Sequence, residues 1–205
     1  MYALVESNTI TRIFVSPKGF TLGDVQYPQN IFSLWTKAEK EAIGIYEIEQ
    51  DNTNQKSEDW YTNTNVSYTF AGGKVTASYG TATARAIADT TWTQQDSDDG
   101  LMPGDKSIGD IKTRGLKYIK KAVFDSQAAI LLAKYDWYVI RNKEVGTAIP
   151  SAITDYRTAV RAKCNSMQTQ VDNASDVDAL AALFIYTGEP QTRPLGEWPD
   201  DPNAE

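Results

Sequence analysis

Apolar positions fall in short β-rich runs along the first part of the chain, then recur at three- and four-residue steps from about Ser107 onward. That change of period separates a strand-forming region from a helix-forming one. Tyr2–Glu6 and residues 9–15 are separated by Ser7-Asn8 and read as a hairpin with a tight turn. Pro17, Lys18 and Gly19 break the second run. Phe20-Thr21-Leu22 and Val25-Gln26-Tyr27 flank Gly23-Asp24, which predicts a second small hairpin closed by Pro28. Ile31, Phe32, Leu34 and Trp35 form a dense apolar cluster. Thr36 and Glu39 then match a capping box, opening a short helix that Gly44 is placed to end. Residues 45–49 return to a strand pattern. A polar loop over 51–58 leads through Trp60-Tyr61 to a third hairpin, 66–70 and 75–79, turned at Gly72-Gly73.

Residues 91–104 carry Asp96, Asp98, Asp99, Gly100, Pro103 and Gly104 and read as an acidic linker. A calcium loop does not fit. With Gly100 at the glycine position, Gln95 and Ser97 fall where ligands belong, and Lys106 falls where a closing glutamate is required. Beyond the linker, Ile108, Ile111, Leu116, Ile119, Val123 and Ile130 predict one long amphipathic helix ending near Leu132, weakened at Gly115. Its exposed face would carry Lys112, Lys117, Lys120 and Lys121. A Trp-bearing connection follows, and Pro150 restarts a helix. In that helix Ile153, Tyr156, Val160, Cys164, Met167 and Val171 form a single stripe that Asn173 can end. Ser175 and Asp178 would cap a third, short helix carrying Val177, Leu180, Leu183 and Phe184. The three prolines at 190, 194 and 199 make the tail an extended arm that docks through Leu195 and Trp198, with 200–205 frayed.

The expected fold class is α+β. A β-rich docking domain (1–88) precedes an acidic linker (89–105), a helical-hairpin domain (106–186) and an extended arm (187–205).

Composition narrows the function. The 205 residues are 41% hydrophobic, enough for a core in each half, and the net charge of -7 argues against general nucleic-acid binding. Cys164 is the one cysteine and histidine is absent, so there is no intrachain disulfide, Cys-rich zinc site or His-based nucleophile activation. No cofactor or metal is expected. The opening Met-Tyr-Ala-Leu-Val-Glu-Ser-Asn is unlike a signal peptide, and no apolar run is long enough to cross a bilayer. The Asn-x-Ser matches at Asn65 and Asn173 therefore carry little weight.

Several pieces together resemble a family of bacteriophage tail and tail-fibre-associated proteins, of a kind found in marine phages. The helical part resembles a domain of unknown function at the ends of tail-fibre proteins and is similar to the C-terminal part of tail-fibre assembly proteins. The matching residues are Leu131-Leu132, Asp136-Trp137, Arg141, Glu144, Gly146, Ile149-Pro150, Tyr156-Arg157 and Val160-Arg161. Tyr2-Ala3-Leu4-Val5-Glu6, Tyr27-Pro28, Phe32 with Leu34-Trp35, Ala38-Glu39 and Ile43-Gly44-Ile45-Tyr46 match openings common in such proteins. The ending Arg193-Pro194-Leu195-Gly196-Glu197-Trp198-Pro199 fits the same picture, while the acidic loop around 96–105 looks like an insertion. The resemblance implies an architectural or assembly role in the virion tail, with other tail proteins and copies of the chain itself as partners. It transfers no catalytic residue.

The candidate contact residues are Asp136, Trp137, Tyr156, Arg157, Arg161, Leu195 and Trp198. Each also has a plainer reading. Trp137 can close the open end of its own hairpin, Asp136 can cap a turn, and Arg157 and Arg161 can be a solvated face. The Ile153 to Val171 stripe can be an internal core and Cys164 an inert part of it. Three functions compete: a virion structural subunit, a tail-fibre assembly chaperone that leaves, and a carboxylate-based glycan hydrolase drawing on Glu39, Asp59 or Asp136.

Overall fold

The computed structural model describes residues 1–64 and 66–203, so the Asn-x-Ser match at Asn65 lies outside the described residues. The chain is α+β and divides into two compact units, Met1–Thr83 and Ala84–Glu205.

In the first unit, β1 (Tyr2–Glu6) and β2 (Thr9–Phe14) pair antiparallel. Ser7 and Asn8 both take positive φ, 50° and 63°, the pair of left-handed residues that a two-residue turn needs to match strand twist. β3 (Phe20–Leu22) and β4 (Val25–Tyr27) form the second hairpin. The apolar cluster at 31–35 folds as a one-turn helix, α1 (Ile31–Leu34). The capping box forms: Thr36 accepts from the Glu39 backbone and Glu39 accepts from the Thr36 backbone, opening α2 (Lys37–Ala42). β5 (Ile45–Asp51) pairs antiparallel with β1 and parallel with β8 (Lys74–Ser78). β7 (Ser67–Ala71) completes a five-stranded sheet of order β2-β1-β5-β8-β7. The short β6 (Tyr61–Thr62) pairs with β9 (Thr83–Ala84).

Alternation along β1 sends side chains to two cores. Leu4 joins Phe14, Phe20, Ile31, Phe32 and Ile45 under the β3–β4 hairpin and α1. Ala3 and Val5 join Val75 on the other face, with Ile10, Ile13, Tyr46, Ile48 and Phe70 around them. The first core is aromatic: Phe14 lies 5.0 Å from Phe20 and 5.4 Å from Phe32 between ring centroids. The outer strands β2 and β7 approach one another, so the sheet curls and its edges are not simply open docking rims. Gly44 turns the chain from α2 into β5 with φ +81°, and a Cβ there would lie 2.5 Å from the Val5 carbonyl oxygen.

The second unit departs further from the sequence reading. The region read as an acidic linker is folded. β10 (Thr90–Thr91) pairs with β11 (Ile111–Thr113), and α3 (Gln94–Asp98) starts from a capping box of Thr93 and Asp96. Lys112 pairs with Asp96 and lies over Trp92 at 4.7 Å. The predicted helix from Ser107 is also corrected. Ile108 and Ile111 precede α4 (Leu116–Ala133), and Gly115 is its N-cap rather than its weak middle. The cause lies in residues 86–89. Ala86 O and Ile87 O accept from the Leu116 and Lys117 amides, and Asp89 Oδ1 accepts from Gly115 N at 2.7 Å. These bonds satisfy donors that any helix start leaves free. A Cβ at Gly115 would lie 2.2 Å from the Ala88 backbone, so only glycine fits that approach.

The buried face of α4 is Leu116, Phe124 and Ala128, while Ile119, Val123 and Ile130 of the predicted stripe face solvent. The α6 (Ser151–Asn173) stripe is buried as predicted from Ile153 to Val171. The two helices run antiparallel. Lys117 Nζ and Lys121 Nζ, near the start of α4, donate to Asp172 at the end of α6. This corrects the solvated lysine row. Cations meet the negative end of the α6 dipole, Lys120 lies over the Phe184 ring at 5.2 Å, and Lys112 belongs to β11. The cap of α7 (Val177–Ala182) is Asp176, not Ser175. No described helix is long and apolar enough to cross a membrane.

Candidate interaction site at the helical knee

The connection between α4 and α6 is itself helical, which corrects the expected loop. α5 (Asp136–Val145) starts after Tyr135 and ends at Gly146 with φ +71°. Where α4 ends, its last carbonyls lack intrahelical partners. Arg157 of α6 reaches one of them, the Leu132 carbonyl that also accepts from Tyr135 N at 3.1 Å: its Nη1 donates to Leu132 O at 2.7 Å and lies 2.8 Å from Asp136 Oδ1 in the first turn of α5. One guanidinium thus meets the negative end of α4 and an acid at the positive end of α5. Arg157 is buried, so it is not the solvated or partner-facing charge expected of it.

Beside this junction, Tyr135 is buried and meets Tyr156 edge-on, with 5.6 Å between ring centroids. The Tyr135 hydroxyl donates to Asp201, and Lys134 Nζ pairs with the same carboxylate at 2.7 Å. Hydrogen bonds from Lys134 and then Tyr135 hold the Asp201 carboxyl down to about 2. Burial, then the bond to Asp201, pushes the Tyr135 phenol up. Asp201 is therefore anchored rather than frayed, while Ala204 and Glu205 lie outside the described residues. The arm is fastened upstream too. Leu195 is fully buried, its amide donates to Leu183 O at 3.3 Å, and Lys163 Nζ donates to its carbonyl. Trp198 Nε1 donates to Gln127 Oε1 at 3.1 Å.

The seven candidate residues therefore separate. Tyr156, Arg157 and Leu195 are interior, which removes them as contact residues in this conformation. Asp136 is engaged by Arg157, and Trp198 is half-buried against α4. Arg161 is exposed, with one donor on the Arg157 carbonyl at 3.3 Å. Trp137 is 49% exposed and does not close a hairpin core. It lies against Tyr138, 3.8 Å between centroids, and under the Arg141 guanidinium at 4.6 Å. Tyr138 and the role of Arg141 were missed by sequence reasoning. The signal was the Trp137 to Arg141 spacing of four, which becomes one surface only on a helix.

Among the described residues, no group of His, Cys, Asp and Glu is placed to hold a metal ion. A cleft of about 400 Å³ in the first unit is lined by Pro17, Gln29, Asn30, Phe32 and Ser33, none of them titratable. The carboxyls of Glu39, Asp51, Asp89, Asp96, Asp176 and Asp201 are all held low, in each case first by a hydrogen bond they accept. A glycosidase proton donor needs the opposite displacement. Cys164 is buried, and burial followed by the charge of Asp125 pushes its thiol up, away from a nucleophile.

No family model, no curated protein and no solved structure matches the chain.

Proposed function

We propose that this chain is a structural subunit of a bacteriophage tail, a fibre-associated adaptor or connector that acts through protein–protein contacts and catalyses no reaction. The observation that supports it best is α5. None of its ten residues is buried, yet it displays Trp137, Ile140 and Val145, each about half exposed or more. Ile119, Val123 and Ile130 on α4 add apolar surface in the same unit. A helix with no fully buried residue that presents aromatic and aliphatic side chains gains stability when a partner covers it. The ordered resemblance along the chain supplies the tail context, with tail-fibre proteins and further copies of the chain as partners. The protein would be made in the bacterial cytoplasm and carried in the virion tail.

The test is mass spectrometry of gradient-purified particles of the encoding phage, scored against the major capsid protein. A stoichiometric signal is expected. Absence from infectious particles, with the chain present in the lysate, would overturn the structural reading and put the assembly chaperone in its place.

A further inference from the structure

Arg141 stands apart from other arginines of the second unit. Arg157 has Leu132 O and Asp136, Arg114 has Asp89, and Arg193 has Glu197. Arg141 makes no hydrogen bond or ion pair among the described residues, and its Nε is enclosed without a partner. What holds it is aromatic. The guanidinium lies 4.6 Å from the Trp137 ring centroid and 5.3 Å from that of Tyr138. The nearby acid Asp136 is committed to Arg157.

We infer that Trp137, Tyr138 and Arg141 form a seat for a carboxylate carried by an acidic segment of a partner protein. Both rings lie on the same side of the cation, their centroids 3.8 Å apart, and hold it by cation–π attraction. Its in-plane N–H groups remain, and the planar pair of acceptors that fits them is a carboxylate. Because Nε is already enclosed, the incoming oxygens meet the Nη groups. The exposed Trp137 and Ile140 supply the apolar border that excludes water around such a pair. Charge complementarity is local here. The chain as a whole carries -7, so general attraction does not bring an acidic segment in. Arg141 must carry the attraction, which makes the residue a decisive test. The inference deepens the assembly reading and rests on it for the partner's nature.

The experiment titrates the full chain, labelled with ¹⁵N-arginine, with acetyl-tetraglutamate amide, and uses acetyl-tetraglutamine amide as the neutral control. The arginine Nε–H resonances and tryptophan fluorescence are followed together. The signal absent from R141K assigns Arg141. With tetraglutamate the Arg141 resonance shifts, and with tetraglutamine it stays in place. R141Q weakens binding by about tenfold to a hundredfold, the range of a charge-assisted hydrogen bond. W137F weakens it less and removes the fluorescence change. An equal response to the neutral peptide, an undiminished response in R141Q, or tighter binding of a single-stranded oligonucleotide would each overturn the inference. Failure here leaves the chain's presence in virions untouched, and absence from virions leaves the titration untouched, so the two readings fail separately.

Discussion

Arg157 Nη1 donates to the carbonyl oxygen of Leu132 at 2.7 Å, joining the second turn of α6 to the end of α4. The same nitrogen lies 2.8 Å from Asp136. Replacing Arg157 by Leu keeps apolar bulk and removes the guanidinium from that carbonyl, which keeps the Tyr135 amide at 3.1 Å. The expected cost is about 1.5–3 kcal/mol, the range for a hydrogen bond to a charged group. Asp136 is half exposed, so its released charge adds little. Urea unfolding measures it, and a change below about 0.5 kcal/mol would show that the Tyr135 amide suffices for the carbonyl.

Gly44 and Gly23 both have positive φ, at +81° and +57°, but only Gly44 faces backbone. Gly23→Ala should cost about 1 kcal/mol from its left-handed conformation. Gly44→Ala should cost clearly more, because its Cβ would meet Val5 O at 2.5 Å. Equal shifts in the denaturation midpoint would contradict the close approach.

Acid should loosen the arm through Asp201. Its folded carboxyl titrates at about 2, below the ordinary 3.8, so the unfolded chain binds the extra proton between those values. The contribution is full above about pH 4 and is lost as pH falls toward 2. Tyr135 moves the other way. Its raised phenol stabilises below its ordinary 10.0, and that stability is lost as pH rises through the folded value. Urea midpoints measured against pH should therefore fall less steeply below pH 4 in Asp201→Asn than in the parent chain. Parallel acid limbs would remove Asp201 from the account.

Leu195 is fully buried and joins the arm to Leu183 and Lys163. Leu195→Ala should destabilise the second unit by about 2–5 kcal/mol, as for other large-to-small core changes. Hydrogen exchange should then speed up over α7 and the arm. Loss of under about 1 kcal/mol would mean the arm is a surface ornament.

Cys164 should resist a thiol reagent in the native chain and react once urea unfolds it. Burial and Asp125 keep its thiol protonated and covered. Rapid labelling without denaturant would show α4 and α6 opening freely.

Local signals in the sequence carried the first unit. Ser7-Asn8, Gly23-Asp24 and Gly72-Gly73 specify turns, and the Thr36–Glu39 box specifies a helix start, because each acts over four residues or fewer. The α6 stripe was equally legible, since six positions repeat without interruption. What the tertiary structure decided is where one backbone segment meets a distant one. The parallel pairing of β5 with β8 joins strands far apart in sequence, and no local pattern encodes it. α4 starts at Leu116 because residues 86–89 satisfy its first amides, although Ile108 and Ile111 continue an apolar spacing. Arg157 and Arg161 differ by one helical turn and look alike in sequence. Folding buries the first against Leu132 O and leaves the second exposed. A charged side chain's role depends on which unsatisfied group arrives beside it, and that is settled only when the helices pack.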